Sequence, residues 1–323
     1  CVSSLPFTNL FTINKELEIE IAQHDAVIVR MYSEWAFQAI KIAKKLDKPY
    51  AIELVGCPWD AYIAHHSMKA KVLAPFSYFR LKKAINNSSF VLYVTGKFLQ
   101  KRYPTKGVQI GASNVMLIEP SSSVISSRLE KIKNINLEER PLNIGVIGKI
   151  DVKAKGMGVL IKALGQLNIN FKLHIVGPGN QDFLKAIIEK YELKDSVNFH
   201  GKLKAGEQIN KYLDSLDLYI HPSMQEGLPR SVIEAMARAC PILASSIAGT
   251  PELIDKEYLH QPGNYKQLSK QILYLYNDFH KLREMSTNNF ERAKNYYPDI
   301  LAEKRKGFWG EFYEYAKDQS GNV

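Results

Sequence analysis

The stretch formed by residues 216–245 places the strongest constraint on the fold of this chain. Two short apolar runs, at residues 216–222 and 240–245, flank a loop that leads into a segment with helical spacing of its apolar residues. A strand, a loop, a helix and a second strand in this order form a right-handed βαβ unit, which belongs to a parallel sheet. The loop then lies at the carboxyl end of a strand, where ligands bind in open α/β sheets.

This loop and its helix carry two carboxylates, Glu226 and Glu234, with seven residues between them. Gly227 allows backbone amides to approach a ligand closely, and Pro229 suits the first helical turn, where its missing N–H needs no partner. The positive end of the helix dipole favours an anionic group such as a phosphate. A carboxylate can accept both hydroxyl hydrogen bonds of a ribose. A lone helical glutamate more often faces solvent, so both interpretations of Glu234 stay open on the residues alone.

An ordered set of residues in this region resembles the signature of the retaining family-four glycosyltransferases of the GT-B fold, which include bacterial capsular and exopolysaccharide enzymes. The matching positions are Pro222-Ser223, Glu226-Gly227, Glu234-Ala235-Met236-Ala237, Pro241-Ile242-Leu243-Ala244-Ser245 and Gly249-Thr250-Pro251-Glu252-Leu253-Ile254. The resemblance covers about residues 142 to 318 and is looser before them. It implies two Rossmann-like doubly wound α/β domains that face each other across a cleft.

The same resemblance assigns roles to the two carboxylates. It implies that Glu234 binds the ribose of a donor nucleotide, and that Glu226 is a catalytic residue that binds the donor sugar. Ser223, Gly227 and Leu228, which belong to the same loop, are the expected donor-binding neighbours.

A second corner between a strand and a helix follows residues 142–147, and it is rich in lysine. Loop lysines are usually solvated. The resemblance nevertheless implies that Lys149 and Lys155 bind the donor diphosphate and act in catalysis by neutralising the leaving group. Lys153 is a weaker candidate for the same role.

Four residues near predicted strand ends are expected to contact the nucleotide. Gly148, Gly177 and Gly201 stand at the carboxyl ends of apolar runs, where a nucleotide would lie across the sheet edge, and Leu203 follows the last of them. We expect the backbone near Gly201 and Leu203 to meet the base. Glycines also simply end strands, and for Gly177 this alternative stays open.

The N-terminal part of the chain shows the same alternation of strands and helices. Strands are predicted at residues 25–30, 49–55, 90–95 and 115–118, which make half of a doubly wound domain. A parallel domain usually opens with a strand and a Gly-rich turn, and neither precedes residue 11, so we expect this first domain to be truncated at its N-terminus. A length of 323 residues with 46% hydrophobic residues suits two domains.

We therefore expect four parts. They are an incomplete acceptor-side domain (1–120), a linker (121–141), a nucleotide-sugar-binding domain (142–296) and a last helix (297–323) that crosses back to the first domain. Family members often carry a histidine just after the strand that matches residues 49–55, whereas this chain has Trp59 and Asp60 nearby. These two residues either line the cleft or form a structural turn.

Residues 61–118 contain no Asp or Glu but nine Lys and Arg, which account for most of the net charge of +10. A membrane or acceptor patch is predicted within this segment, and its aromatic residues lie in a helix that Pro75 is expected to start. Its basic residues are Lys69, Lys71, Arg80, Lys82 and Lys83, and its aromatic residues are Phe76, Tyr78 and Phe79. Such a mixture suits an anionic bilayer surface. The alternative is that Tyr78 packs on the sheet and the lysines only keep the face soluble. No motif for nucleic acid accompanies the patch, so we expect none to bind.

The compartment follows from what the sequence lacks. Three scattered cysteines indicate neither a disulfide framework nor a zinc site, which suits a reducing cytoplasm. No apolar run approaches the ~18 residues of a membrane span. We therefore expect a cytoplasmic protein that lies peripherally on the inner face of the plasma membrane.

The predicted function is metal-independent transfer of a hexose, with retention, from a nucleotide sugar to a lipid-linked or other glycan acceptor. No metal site is expected because no Asp-x-Asp pair is present. No cofactor is expected beyond the donor itself, for which a UDP-sugar is the first choice. An epimerase or phosphorylase of the same architecture is one alternative. A non-catalytic partner in polysaccharide assembly is another.

Overall fold

A computed structural model describes residues 10–64 and 68–320 of the 323-residue chain. These residues form two compact units. The first contains the described residues up to Ser113 together with the chain from Ala302 onward, and the second is Asn114–Leu301. Each unit is an α/β structure built on a wholly parallel sheet, as the sequence predicted.

The first unit has a four-stranded sheet in the order β1-β2-β3-β4. Its strands are β1 (Val27–Met31), β2 (Tyr50–Leu54), β3 (Phe90–Tyr93) and β4 (Val108–Gly111), and its helices are α1 (Leu10–Ala22), α2 (Glu34–Lys45), α3 (Pro58–Ala64), α4 (Met68–Asn86), α5 (Phe98–Arg102) and most of α13 (Pro298–Ser320). The sheet core includes Ile52, Leu54 and Leu92, which are fully buried. Phe308 and Phe312 of α13 pack against Phe90, so the last helix covers this sheet.

Two details of this unit differ from the sequence predictions. The fourth strand is β4 and not residues 115–118, where Met116 and Ile118 are 89% and 62% exposed. The β4 position is favoured because the amide of Val108 bonds to the carbonyl of Ser89 and the strand then pairs with β3. Pro75 lies inside α4 and does not start it.

The second unit has a six-stranded sheet in the order β10-β9-β8-β5-β6-β7. Its strands are β5 (Leu142–Ile147), β6 (Phe171–Val176), β7 (Val197–Gly201), β8 (Leu218–His221), β9 (Ile242–Ser245) and β10 (Leu259–His260), and its helices are α6 (Ser123–Lys133), α7 (Met157–Leu164), α8 (Asp182–Lys190), α9 (Glu207–Ser215), α10 (Arg230–Ala237), α11 (Tyr265–Tyr276) and α12 (Phe279–Ala293). Read from β7 to β10, this is the doubly wound order 3-2-1-4-5-6 of dinucleotide-binding folds. The order reverses between β5 and β8, so the switch point lies there.

Residues 121–141, which were expected to be a linker, belong to the second unit and carry helix α6. Arg128 of this helix is 4% exposed, and its guanidinium donates to the backbone carbonyls of Leu213 and Arg238. Lys131 donates to the carbonyl of Leu216 over 2.9 Å. Since these carbonyls end α9 and α10 or precede β8, the two cations fix α6 to the second unit.

Candidate functional site

The loops that follow β5 and β8 meet at the switch point, and they are joined backbone to backbone. The carbonyl of Ala154 accepts hydrogen bonds from the amide of Met224, over 2.7 Å, and from the hydroxyl of Ser223, over 3.2 Å. Gly156 has a φ of +72°, and a Cβ there would lie 1.9 Å from the carbonyl oxygen of Pro222. Glycine is therefore required at 156 both by backbone conformation and by space.

The glycines at the neighbouring strand ends are also closely packed. The amide of Gly177 donates to the carbonyl of Gly201 over 2.8 Å. A Cβ on Gly177 would lie 1.7 Å from the carbonyl oxygen of Gly148. Gly177 thus has a structural reason to be glycine, whatever it contacts in a ligand. Leu203 lies two residues beyond β7 and is half-buried.

Glu226 lies at the centre of a charged cluster on the joined loops. One carboxylate oxygen, Oε1, is 2.6 Å from Nζ of Lys155 and 3.1 Å from Nε2 of His221. Burial alone would raise the pKa of Glu226. The hydrogen bond and charge of His221 and the charge of Lys155 outweigh burial and lower this pKa to about 2. Two residues that the sequence assigned to different parts of the donor, Glu226 and Lys155, therefore form one ion pair.

His221 is a residue of this cluster that the sequence analysis missed. Its side chain is 4% exposed, and its Nδ1 has no hydrogen-bond partner among the described residues. His260 on β10 lies close enough for the charge of His221 to act on it. Burial, followed by that charge, lowers the pKa of His260 to about 4. The sequence signal was a histidine directly before Pro222-Ser223 at the end of a strand.

Glu234 is in the opposite environment to Glu226. It lies half-buried in α10, and its carboxylate makes no hydrogen bond or ion pair with the residues that the structure describes. Burial raises the pKa of this carboxyl, and the charge of Arg230 only partly opposes the shift. A fully solvated helix face, which was the alternative on sequence, does not fit a side chain that is half-buried. The carboxylate is thus available to hydroxyl groups of a ligand.

The loop before α10 differs slightly from the sequence prediction. Pro229 is the last residue before the helix, with φ −73° and ψ 108°, and Arg230 is the first helical residue. Leu228 is buried, and the carbonyl of Gly227 accepts a hydrogen bond from the amide of Gly249 over 2.9 Å. This bond ties the glutamate loop to the Gly249-Thr250-Pro251 segment.

The remaining two lysines of the β5 corner point to solvent. Lys149 is 58% exposed, and its Nζ lies 3.5 Å from a carboxylate oxygen of Asp151. Lys153 is also exposed, and its Nζ lies 4.9 Å from the ring centroid of Phe183. The corner therefore offers one lysine bound to Glu226 and two at the surface.

The segment after β2 has structural roles within the first unit. Both carboxylate oxygens of Asp60 accept from Arg102 over 2.9 Å. The ring of Trp59 lies edge-on to Tyr78, with 5.9 Å between ring centroids. Asp60 is therefore occupied by an ion pair, which favours the structural alternative for this turn.

Two basic residues of the predicted patch, Arg80 and Lys82, contact other side chains of the first unit. Arg80 donates to both carboxylate oxygens of Glu34, over 2.6 and 2.8 Å, and its guanidinium lies 3.9 Å from the ring centroid of Phe37. Lys82 lies over the ring of Tyr78 at 5.7 Å. The exposed cations of the patch are Lys69, Lys71 and Lys83. Arg80 is paired with Glu34, an acidic residue from outside the acid-free segment, so its charge is partly neutralised, and its part in the patch stays a prediction.

Comparisons with known proteins identify the family and the fold of this chain. The model of the glycosyl transferases group 1 family matches residues 127–292, which is half of the chain. The chain belongs to this family. It is 36% identical to protein CapJ of Staphylococcus aureus over 265 residues, which cover 80% of this chain and 65% of CapJ. It is 34% identical to the amylovoran biosynthesis glycosyltransferase AmsK of Erwinia amylovora over 149 residues, which cover 42% of this chain and 36% of AmsK. The chain thus spans less than two thirds of either relative.

Solved structures of similar fold cover both units of this family member. Sucrose-phosphate synthase from Thermosynechococcus elongatus has a TM-score of 0.76 at 17% identity, with 97% of this chain and 81% of that chain covered. HepE from Anabaena in complex with UDP-glucose has a TM-score of 0.71 at 19% identity, with 96% and 84% covered. At such identities the likeness shows the fold, which is the pair of Rossmann-like domains of GT-B glycosyltransferases.

The lysine corner generates a first prediction. If Lys149 and Lys155 neutralise a leaving diphosphate, replacing either with Ala lowers kcat by ~100-fold or more, because a preorganised donor to developing charge is lost. Lys153→Ala is the matched control and keeps kcat within a few-fold, since Lys153 lies against Phe183. Steady-state kinetics on folded, purified variants decide the matter. Wild-type turnover in Lys149→Ala or Lys155→Ala would remove that lysine from the mechanism.

The opposite environments of the two glutamates generate a second prediction. Glu234→Gln weakens binding of the free nucleoside diphosphate by about 1.5–3 kcal/mol, because a charged hydrogen bond to ribose is lost, whereas Glu226→Gln spares it and impairs transfer. Hydroxyl donors favour the ionised carboxylate, so wild-type affinity rises with pH through the raised pKa of Glu234. Glu234→Gln abolishes this rise. Calorimetry across pH 4–8 measures both effects, and equal losses in the two variants contradict the division of roles.

Proposed function

We propose that this protein is a retaining glycosyltransferase that moves a hexose from a nucleotide diphosphate sugar to a glycan acceptor in the synthesis of cell-surface polysaccharide. One observation carries the proposal: at the switch point of the second sheet, an ionised Glu226 lies in a charged cluster, and the half-buried Glu234 has no hydrogen-bond or ion-pair partner in the described part of the chain. Membership of the group 1 family supports transfer chemistry. The name of AmsK, which is an amylovoran biosynthesis glycosyltransferase, supports a polysaccharide product.

The donor would lie along the carboxyl edge of the second sheet. Its ribose hydroxyls donate to Glu234, its sugar hydroxyls donate to Glu226, and its diphosphate lies between Lys149, Lys155 and the N-terminus of α10. A UDP-sugar is the preferred donor, which the complex of HepE with UDP-glucose supports.

The reaction breaks the bond between the anomeric carbon and a diphosphate oxygen while an acceptor hydroxyl attacks the same face of the sugar, and the leaving diphosphate takes the proton of that hydroxyl. Charge then develops on the diphosphate as it leaves. The two lysines and the helix dipole can neutralise this charge, so we propose that the transfer is independent of a metal ion.

The decisive experiment combines donor binding with turnover. A thermal-shift screen of UDP-, GDP- and ADP-sugars identifies the nucleotide that raises Tm, and turnover with that donor is then followed in the presence of EDTA. We expect a UDP-sugar to stabilise the protein, EDTA to leave turnover unchanged, and NMR to show retention at the anomeric carbon.

Other outcomes of this experiment would replace parts of the proposal. Interconversion of the donor without an acceptor identifies an epimerase. Formation of a sugar phosphate on addition of phosphate identifies a phosphorylase. Donor binding without any turnover identifies a binding partner, and loss of turnover in EDTA contradicts metal independence.

The second part of the proposal is that the acceptor is lipid-linked and that the protein lies peripherally on an anionic membrane, on its cytoplasmic face. Helix α4 supports this part through five apolar side chains that are 49–73% exposed, which we call the α4 apolar row: Met68, Val72, Leu73, Phe76 and Phe79. Exposed apolar side chains in one helix, flanked by Lys69, Lys71 and Lys83, are typical of helices that lie in a membrane interface. Across residues 10–64 and 68–320, no helix has the length and apolarity to cross a membrane.

The α4 apolar row changes the expected response to salt. Each exposed lysine near an anionic surface contributes ~1 kcal/mol, and salt screens this contribution. Apolar side chains that enter the interface contribute up to ~1.5–3 kcal/mol each, and salt does not screen them. Binding should therefore weaken in high salt but not vanish.

Flotation with vesicles that contain phosphatidylglycerol tests this at low and high salt. We expect the double variant Val72→Ser/Phe79→Ser to lose the binding that survives in high salt, and the triple variant in which Lys69, Lys71 and Lys83 become Ser to lose mainly the low-salt part. The control Leu273→Ser, at a 42% exposed leucine of the second unit, leaves flotation unchanged. A wild-type protein that stays unbound at low salt shows that the membrane proposal is wrong.

A further inference from the structure

A cavity of about 270 Å³ opens at the carboxyl edge of the first unit's sheet. Its walls are the segment after β1, the start of α3 and one face of α4. The apolar and aromatic side chains that line it are Tyr32, Phe37, Pro58, Tyr62, Leu73 and Phe76. In parallel α/β sheets, this is the edge at which ligands bind.

The charged side chains of this cavity pair with each other, and its N-cap hydroxyl already has a hydrogen-bond partner. The carboxylate of Glu34 accepts hydrogen bonds from both terminal nitrogens of Arg80, and the face of the guanidinium lies on the ring of Phe37. The hydroxyl of Ser33 accepts from the amide of Ala36 as the N-cap of α2. Arg80, the cation among the lining residues, is already paired with Glu34, and the other lining side chains are mostly apolar or aromatic. The cavity therefore suits an uncharged, apolar group.

The opening of the cavity lies in the α4 apolar row. Leu73 and Phe76 belong to both, and they are 49% and 64% exposed. Leu73, Phe76, Ser77 and Arg80 are spaced three or four residues apart, so they share one helix face, and Lys69 continues this face by one turn. A cation at the end of an apolar opening complements a molecule with a hydrocarbon chain and an anionic head.

We propose that this cavity receives the first segment of the hydrocarbon chain of a lipid-phosphate acceptor, with the phosphate near Lys69. The proposal rests on the proposed function in that the acceptor is lipid-linked. The volume lies just under the ~300 Å³ at which small-molecule pockets begin, so a short segment of chain fits and the rest stays in the bilayer. The first unit would then select its acceptor by the chain as well as by the glycan.

The test fills the cavity without touching its ion pair. Ser77 is half-buried and lines the cavity, so Ser77→Phe places a ring in the space for the chain. The matched control is Ser127→Phe, at an exposed position of α6. Calorimetry uses soluble farnesyl phosphate as the probe, below its aggregation concentration. We expect wild type and the control to bind it alike, and Ser77→Phe to bind it at least tenfold more weakly.

A second set of probes separates the chain from the head group. Lys69→Ser weakens farnesyl phosphate about fivefold, which corresponds to the ~1 kcal/mol of one lysine at an anionic group, and leaves farnesol binding unchanged. Inorganic phosphate alone does not displace farnesyl phosphate. If inorganic phosphate or methyl glucoside displaces it, the cavity is a phosphate or sugar site and the proposal is overturned.

The source of the chain is decided with dihexanoyl phosphatidylglycerol. We expect this lipid to bind more weakly than farnesyl phosphate. We also expect the Ser77→Phe variant to float with vesicles as wild type does, because its Val72 and Phe79 are unchanged. Equal affinity of the two lipids, together with loss of flotation in Ser77→Phe, shows a site for bilayer lipid and overturns the acceptor assignment. UDP binding is measured in the same variants and reports on the donor site alone. A protein that does not bind UDP contradicts the proposed donor, whereas a protein that does not bind farnesyl phosphate contradicts the proposed site for the hydrocarbon chain.

Discussion

The contact between the loops after β5 and β8 is the constraint on which the candidate site depends. Gly156 lies directly against the backbone of Pro222, and the carbonyl of Ala154 accepts hydrogen bonds from the next two residues of the β8 loop. No side chain could be accommodated at Gly156 without separating the loops. This packing brings Lys155, a neighbour of Gly156, to within 2.6 Å of Glu226.

The two carboxylates near this contact have pKa values that their surroundings shift in opposite directions. Glu226 has two cationic or hydrogen-bonding partners, so it stays ionised in spite of burial. Glu234 is half-buried and has no hydrogen-bond or ion-pair partner among the described residues, so burial raises its pKa, which the charge of Arg230 opposes only in part. Opposite shifts in neighbouring carboxyls are a common sign of divided roles in a site. If a donor diphosphate binds Lys155 as proposed, it must share this lysine with Glu226.

The first unit shows how spatial neighbours change the meaning of a charged segment. The absence of acids between residues 61 and 118 indicated a strongly positive surface. In the fold, Glu34 and Asp60 come from outside that segment and neutralise Arg80 and Arg102. Six lysines of this segment are exposed, and three of them, Lys69, Lys71 and Lys83, lie on α4 with the α4 apolar row, which gives this helix more apolar character than the charge pattern alone suggested.

Local sequence determined the βαβ unit at residues 216–245 and the sheet edge at which the candidate site lies. Apolar runs that end at glycine or proline and the helical spacing after Pro229 were enough to predict a βαβ unit, and a parallel sheet has only one edge where such loops gather. The sequence also identified both glutamates and the lysine corner. It could not identify the partners of these groups, because a partner is set by loops that are far apart in the chain.

Only the tertiary structure decided that Lys155 and His221 share one oxygen of Glu226 and that Arg80 pairs with Glu34. It also decided that the carboxylate of Glu234 makes no hydrogen bond or ion pair within residues 10–64 and 68–320. It also decided that residues 121–141 pack into the second unit, because the carbonyls that Arg128 and Lys131 cap come from α9, α10 and the turn before β8. Hydrogen bonds and ion pairs of this kind depend on distances of a few ångströms between residues tens of positions apart. Periodicity and composition do not predict those distances, because they are set only when the sheet and its loops pack.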